Sequence, residues 1–263
     1  MAPSATTRST LRPRVSIRTC RHGYYRSNAP TKPPKPVNIA ADLRALLEAA
    51  KIDPPYLVGH FYGGVIVRQF LADYADNVFG MVLVDPMPVV NRFPAVWTKL
   101  LGDAEYADVV GLHDNLGITE EEYRTIEYES GLNEAPGGIA EKELELMVPG
   151  NQQLNDNLQG NQLLRSRRLC VIFCDESNDF RKVYNYGVKH RHGTPEEREV
   201  VRKHLEDMSA EDKTAQRSQL DLSSNAQSIK TDGSRATHNV HMVDLEWVAQ
   251  QILWVYDGSL AER

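Results

Sequence analysis

Apolar residues in the first third of the chain alternate between helical and strand spacing. Helical repeats begin after Asn38, a favourable N-cap residue, and stop at a pair of prolines. A short buried strand is then predicted at 56–58, followed by a second helix. Residues 78–84 are apolar on both faces, which is typical of a central parallel strand. Two strand–helix alternations in succession predict an α/β fold, with a mostly parallel sheet flanked by helices.

The middle of the chain has a different pattern. Residues from about 87 to 168 are charged and helical in periodicity, with no strand signal, so we expect a helical lid insert at about 87–168. The remaining predicted elements are a buried strand at 169–174, a charged helix at 195–208, a weak strand at 228–229 and an amphipathic helix at 244–256.

The first residues of the chain are basic and lack acidic side chains. No Asp or Glu precedes Asp42, whereas six arginines are interleaved with Ser and Thr before residue 27. This composition indicates either a disordered basic tail at 1–12 or a mitochondrial transit peptide. We therefore expect a tail at 1–12 and one α/β domain at 13–263, cytoplasmic under the first interpretation and mitochondrial under the second.

Composition narrows the function classes. The net charge of −6 argues against a nucleic-acid partner, and no apolar run approaches the roughly 18 residues that a membrane span needs. Cys170 and Cys174 fall inside a predicted buried strand, and Cys20 is the third cysteine. This pattern indicates a reducing compartment without a disulfide framework or a zinc site, and no cofactor is predicted.

Residues 57–64 read Leu-Val-Gly-His-Phe-Tyr-Gly-Gly between a predicted strand and a predicted helix. This segment resembles the nucleophile elbow of the α/β-hydrolase family, G-x-S-x-G, whose tight turn presents a serine at its apex. Gly59 and Gly63 take the two glycine positions, which we expect to be sterically required. Phe61 stands where the family has its serine. The resemblance covers most of residues 14–257 and implies the α/β-hydrolase fold.

Two further segments carry the same resemblance. Residues 20–27 are similar to a glycine-containing family loop that follows a strand, here predicted at 14–20. Residues 237–241 are similar to the loop that presents the catalytic histidine before the last helix. The resemblance implies His238 as the base, in preference to His241.

The resemblance leaves the acid of the site open. Asp85 follows the strand after the elbow and is narrowly favoured. The alternative lies after the next strand, in the cluster of Asp175, Glu176 and Asp179, of which Asp179 is the named alternative. The backbone N–H of Tyr62 is expected to serve as an oxyanion donor.

Two departures from the family bear on catalysis. Phe61 has no oxygen or sulfur, so the covalent route is closed, although a water molecule activated by the histidine could still attack. Family members also have strands before the one matched at 14–20, and one of them lies beside the strand that leads to the elbow. Its loop donates the second oxyanion N–H. We therefore expect an N-terminally truncated form of the fold that lacks this donor.

Three alternatives remain open for the function. In the first, the chain acts on a small apolar ester, lactone or related metabolite. In the second it binds a small molecule or a protein without catalysis, and in the third it is a truncated product with little function. Phe93, Val96, Trp97 and Leu101 supply apolar surface for a small ligand in the predicted lid. The sequence does not specify the substrate or the oligomeric state.

Overall fold

The computed structural model of the chain describes residues 32–87, 95–132 and 139–260. The predicted tail at 1–12, the predicted strand at 14–20, Cys20 and Phe93 lie outside the described residues. The strands are β1 (Tyr56–His60), β2 (Gly80–Val84), β3 (Leu169–Phe173) and β4 (Ala226–Lys230). The α-helices are α1 (Pro36–Ala49), α2 (Tyr62–Asp73), α3 (Tyr106–Val109), α4 (Glu120–Leu132), α5 (Ile139–Leu158), α6 (Ser177–His190), α7 (Pro195–Ser218), α8 (Val240–Val243) and α9 (Leu245–Leu260).

The strands form a parallel sheet in the order β1-β2-β3-β4. Every residue of β2 and β3 is buried, as expected for central strands that are apolar on both faces and covered by helices on both sides. The register pairs Val82 with Val58 on one side and with Cys170 on the other. The predicted parallel α/β sheet is therefore confirmed, and the carboxyl ends of its strands meet at one edge.

Helices pack on both faces of the sheet. On one face, α1, α2 and α5 contribute to the main core, where Phe70, Leu71 and Leu154 are almost fully buried. On the other face, α9 places Val248, Ile252 and Val255 against side chains of β2 and β3. Cys170 and Cys174 are buried free thiols in this second cluster. The two faces hold the sheet as a rigid platform for the loops at its carboxyl edge.

The interval 87–168 contains two different parts in the described residues. Residues 95–123 pack against α6 and α7 in a separate apolar cluster that includes Leu100, Phe180 and Leu205. In contrast, α5 places Met147 and Leu154 in the main core beside α2. The described residues of the interval therefore belong to two separate apolar clusters, and a lid at about 87–168 stays a prediction.

Two helices differ from the sequence-based expectation. Helix α6 was not predicted, because its buried apolar side chains are few and the segment between them is polar. Helix α7 runs ten residues beyond the predicted end at 208, to Ser218, since Asp212 and Gln216 are buried polar residues that interrupt its apolar stripe. Among the described helices, none combines the length and the hydropathy needed to cross a bilayer.

Candidate functional site

Phe61 lies at the apex of a tight turn between β1 and α2. Its backbone has φ 48° and ψ −115°, a left-handed conformation that is strained for a residue with a side chain. Its N–H donates to the carbonyl of Val84 at 3.1 Å, and its carbonyl accepts from Gly64 and Met87 at 2.9 and 3.2 Å. These bonds tie the turn to the end of β2 and to the first turn of α2, so the strain is held by the surrounding backbone.

The glycines of the turn have unequal roles. A Cβ on Gly59 would lie 2.5 Å from the carbonyl oxygen of Gly63, so only glycine fits at position 59. A Cβ on Gly64 would lie 3.0 Å from Pro86, which is also a close approach. At Gly63, by contrast, a Cβ would meet no heavy atom within 4 Å among the described residues. The expectation that Gly63 is sterically required is wrong, because the crowding falls on Gly59 and Gly64.

The imidazole of His238 is paired with Asp85. Its Nδ1 lies 2.7 Å from Oδ2 of Asp85, which follows β2 and is 2% exposed. The other carboxylate oxygen accepts from the backbone N–H of Cys174 at 3.2 Å and from Nε2 of Gln216 at 3.0 Å. Three donors therefore fix the carboxylate, which in turn orients the ring.

Asp179 contacts the loop that carries His238 and makes no hydrogen bond with its ring. Its Oδ2 accepts from the hydroxyl of Thr237 at 2.7 Å and from the backbone N–H of His238 at 3.0 Å. Its Oδ1 lies 3.3 Å from the ammonium of Lys182. Of the sequence-predicted acids, the structure thus places Asp85 on the ring and Asp179 on the backbone of the loop.

Two aromatic rings, those of Phe61 and His60, contact the imidazole of His238 at the elbow. The ring of Phe61 meets that of His238 edge to face, with centroids 5.1 Å apart and planes at 90°. The ring of His60 lies 4.3 Å from that of His238 and equally close to that of His241. His238 therefore contacts both Phe61 and Asp85, while His241 packs on the far side of His60. Burial lowers the pKa of His241 to about 4.

Further acidic groups converge on the same imidazole. Oε1 of Glu176 lies 4.0 Å from Nδ1 of His238, and Asp212 shares the Gln216 amide with Asp85. Burial raises the pKa of both Glu176 and Asp212. Burial lowers the pKa of His238, but the neighbouring carboxylates, Glu176 first, outweigh it and raise that pKa to about 9.

Several residues near the site were not predicted as members of it. Burial, followed by the charges of Asp179, Glu176 and Asp85, raises the pKa of Tyr106, so this phenol lies close to the acidic cluster. Gln216 and Asp212 come from α7. No motif signals these positions, because they lie in helices whose local patterns indicate only amphipathic packing.

Tyr62, the expected oxyanion residue, begins α2 directly after the apex, and its side chain is buried. A helix N-terminus directs backbone N–H groups and a partial positive charge outward. The site thus combines an acid–imidazole pair, a helix start and an apex residue with no nucleophilic atom.

Comparison with known proteins gives the same fold family. A model of the alpha/beta hydrolase fold matches residues 22–136. A probable transporter, efuK, of Hormonema carpetanum is 27% identical over 239 residues, which are 86% of this chain and 33% of that protein. An AB hydrolase superfamily protein of Gibberella zeae is 26% identical over 230 residues, 82% of this chain and 69% of that protein. The chain thus spans about a third of the first relative's length.

Solved structures agree on the architecture. The crystal structure of a putative lipase from Acinetobacter baumannii matches with a TM-score of 0.53 at 16% identity, covering 89% of this chain and 71% of that one. Likeness at this level of identity concerns the fold. The parallel sheet, the strand–turn–helix at the elbow, the family-model match over residues 22–136 and these neighbours lead to one conclusion: the chain has the α/β-hydrolase fold.

Proposed function

We propose that this chain binds a small apolar ester, lactone or related metabolite and does not carry out covalent serine-type hydrolysis. One observation carries the proposal: a phenyl ring, that of Phe61, occupies the elbow apex and contacts the imidazole of His238. A carbon ring can neither attack an acyl carbon nor be activated by a base. Loss of the nucleophile from such a triad removes about six orders of magnitude in kcat.

The charge of the imidazole supports binding rather than base catalysis. With a pKa of about 9, His238 is protonated at neutral pH. A protonated imidazole donates hydrogen bonds from both nitrogens and cannot take up another proton. It can therefore donate a hydrogen bond to the carbonyl oxygen of an ester or lactone.

Apolar surface near the acidic cluster supports the proposed ligand class. The Trp97 indole meets the rings of Tyr106 and Phe180 edge to face, at centroid distances of 5.9 and 5.2 Å. Small-molecule sites combine such apolar walls with a few polar groups that orient the ligand. The backbone N–H of Tyr62 is proposed as a second donor to the ligand's carbonyl.

A second candidate function is slow hydrolysis by a water molecule that His238 activates. The intact contact of 2.7 Å between Asp85 and His238 favours this candidate, since it orients the ring as in an acid–base pair. Because the neutral imidazole is the base, such hydrolysis would rise with pH until His238 is deprotonated. A pH–rate profile therefore separates the two candidates.

The test combines binding and turnover on the full chain. Short-chain lactones and p-nitrophenyl esters are titrated while tryptophan fluorescence and melting temperature are recorded, and ester hydrolysis is followed from pH 6 to 10. We expect saturable binding, a weaker response in Trp97→Ala, and hydrolysis no faster than in His238→Asn. Strong turnover by the unmodified chain would refute the proposal, and so would the absence of binding by every ligand tested. A hydrolysis rate that exceeds that of His238→Asn and rises with pH would support the second candidate instead.

A further inference from the structure

The acid–imidazole pair is part of a larger constellation of metal-ligand atoms. We propose that Asp85, Glu176 and His238 form a binding site for a divalent transition-metal cation of the Zn²⁺ type. One ligand atom from each of the three residues lies within 4.8 Å of the other two. The proposed metal site shares His238 with the ester-binding function proposed above: a cation on Nδ1 replaces the proton there, while Nε2–H can still donate to a ligand's carbonyl.

The three residues offer the kinds of ligand atom that such an ion binds. It offers one imidazole nitrogen and two carboxylate oxygens, the ligand types that Zn²⁺ and its neighbours in the transition series accept. Nδ1 of His238 lies 2.7 Å from Asp85 and 4.0 Å from Glu176. Because Zn²⁺ binds nitrogen and oxygen ligands at about 2.0–2.2 Å, a bound ion needs the first contact to widen and the second to shorten.

The surroundings already orient two of the three ligands. Asp85 is held by the backbone N–H of Cys174 and by the amide of Gln216. The loop of His238 is held through its backbone by Asp179. Metal sites depend on such outer hydrogen bonds, which fix the ligand atoms before the ion arrives.

Basic side chains near the cluster are paired with other carboxylates. Lys182 and Lys230 pair with Asp179 and Asp175 respectively. Within the described residues, neither a lysine nor an arginine lies within ion-pair distance of the remaining carboxylates, those of Asp85, Glu176 and Asp212. Burial raises the pKa of Glu176, so a cation that binds there would displace the proton of its carboxyl group as well as the proton on Nδ1 of His238.

A buried amide oxygen beside the cluster supplies an independent indication. Gln216 is 2% exposed, and its Nε2 donates to both Asp85 and Asp212. Its Oε1 has no hydrogen-bond partner among the described residues. A buried polar atom needs a hydrogen-bond partner, and a water molecule bound beside the cluster would supply one to this oxygen.

The test measures the binding of metal ions to the full chain in the absence of any other ligand. After chelator treatment, the protein is titrated with Zn²⁺, Co²⁺ and Mg²⁺ by calorimetry, and the visible absorption of the Co²⁺ form is recorded. We expect one saturable Zn²⁺ site and Co²⁺ bands from nitrogen and oxygen ligands. Affinity should fall at least about tenfold in Glu176→Gln and in His238→Asn, and about 10–100-fold in Gln216→Leu.

The chain offers a matched control. His113 and Asp108 form a second imidazole–carboxylate pair at 2.6 Å on an exposed surface, and no third ligand joins them among the described residues. His113→Asn should leave Zn²⁺ affinity unchanged. The proposal is overturned if Zn²⁺ binding is absent, if only Mg²⁺ binds, or if His113→Asn lowers the affinity while Glu176→Gln does not. Circular dichroism of each variant separates loss of the site from loss of the fold, and ester binding is not involved in any readout.

Discussion

His241 provides a quantitative test of how the elbow and the histidine loop pack together. Its ring contacts that of His60, and neither of its ring nitrogens has a hydrogen-bond partner in the described part of the chain. Burial lowers its pKa from 6.5 to about 4, with the charge of His238 acting in the same direction. The neutral ring therefore behaves as a small aromatic hydrophobe beneath the elbow.

The lowered pKa of His241 makes the folded state more stable at high pH than at low pH. Its contribution to the free energy of unfolding is fully present above pH 6.5, and it is lost as the pH falls through about 4. At roughly 1.4 kcal/mol per pKa unit, the shift corresponds to about 3 kcal/mol, of which about 2–3 kcal/mol is lost between pH 7.5 and 4.5. His241→Phe keeps the ring and removes the titrating nitrogens.

Urea denaturation followed by tryptophan fluorescence measures this contribution. We expect the free energy of unfolding of His241→Phe to be less dependent on pH between 4.5 and 7.5 than that of the wild type, by about 2–3 kcal/mol. At neutral pH the variant should be no less stable, because it also removes two buried nitrogens without partners. An unchanged pH dependence would mean that His241 faces solvent in both states, contrary to the burial that lowers its pKa.

Three further predictions concern the same loops. Gly59→Ala should destabilise the fold by more than about 2 kcal/mol, because its Cβ would lie 2.5 Å from the carbonyl oxygen of Gly63. Gly63→Ala should be neutral or should stabilise the fold by about 0.5–1 kcal/mol. Denaturant unfolding of the two variants compares their free energies of unfolding directly. Asp179→Ala should lower the free energy of unfolding by about 1–3 kcal/mol, because it removes two hydrogen bonds to the His238 loop. Thr237→Val removes only one of them and should lower it by less. Equal effects of the two variants would contradict the role assigned to Asp179. Phe61→Ser should restore little p-nitrophenyl ester hydrolysis at neutral pH, because the raised pKa of His238 leaves the imidazole protonated and unable to take up the proton of the new hydroxyl. Turnover at the level of an ordinary esterase would show that the imidazole is available as a base.

The sheet and the elbow were accessible from sequence because their patterns are local. Strands β2 and β3 are continuous apolar runs, which only a doubly covered parallel strand explains well. The glycines around Phe61 indicate a strained turn between a strand and a helix from the sequence alone. Even here the sequence did not distinguish Gly63, which has space around it, from Gly59, which has none.

The acidic surroundings of His238 could not be anticipated in the same way. Asp85 and His238 are 153 positions apart, and Gln216 reaches Asp85 across 131 positions from a helix whose exposed face is charged. Such contacts depend on where α7 packs relative to the sheet, and a single sequence contains no direct signal for that placement. Helix α6 escaped prediction because its sequence is polar on average, although its few apolar residues lie on one face and pack in the cluster of Leu100.

The central claim is that the elbow of this α/β-hydrolase fold carries no nucleophile. Intact-protein mass spectrometry after incubation with a fluorophosphonate probe tests it most directly, with Phe61→Ser treated in parallel. We predict an unchanged mass for the wild-type chain, since Phe61 offers no atom that can displace fluoride. A stoichiometric adduct on the wild-type chain that His238→Asn abolishes would contradict the account, because it would reveal a nucleophile elsewhere that uses the same base.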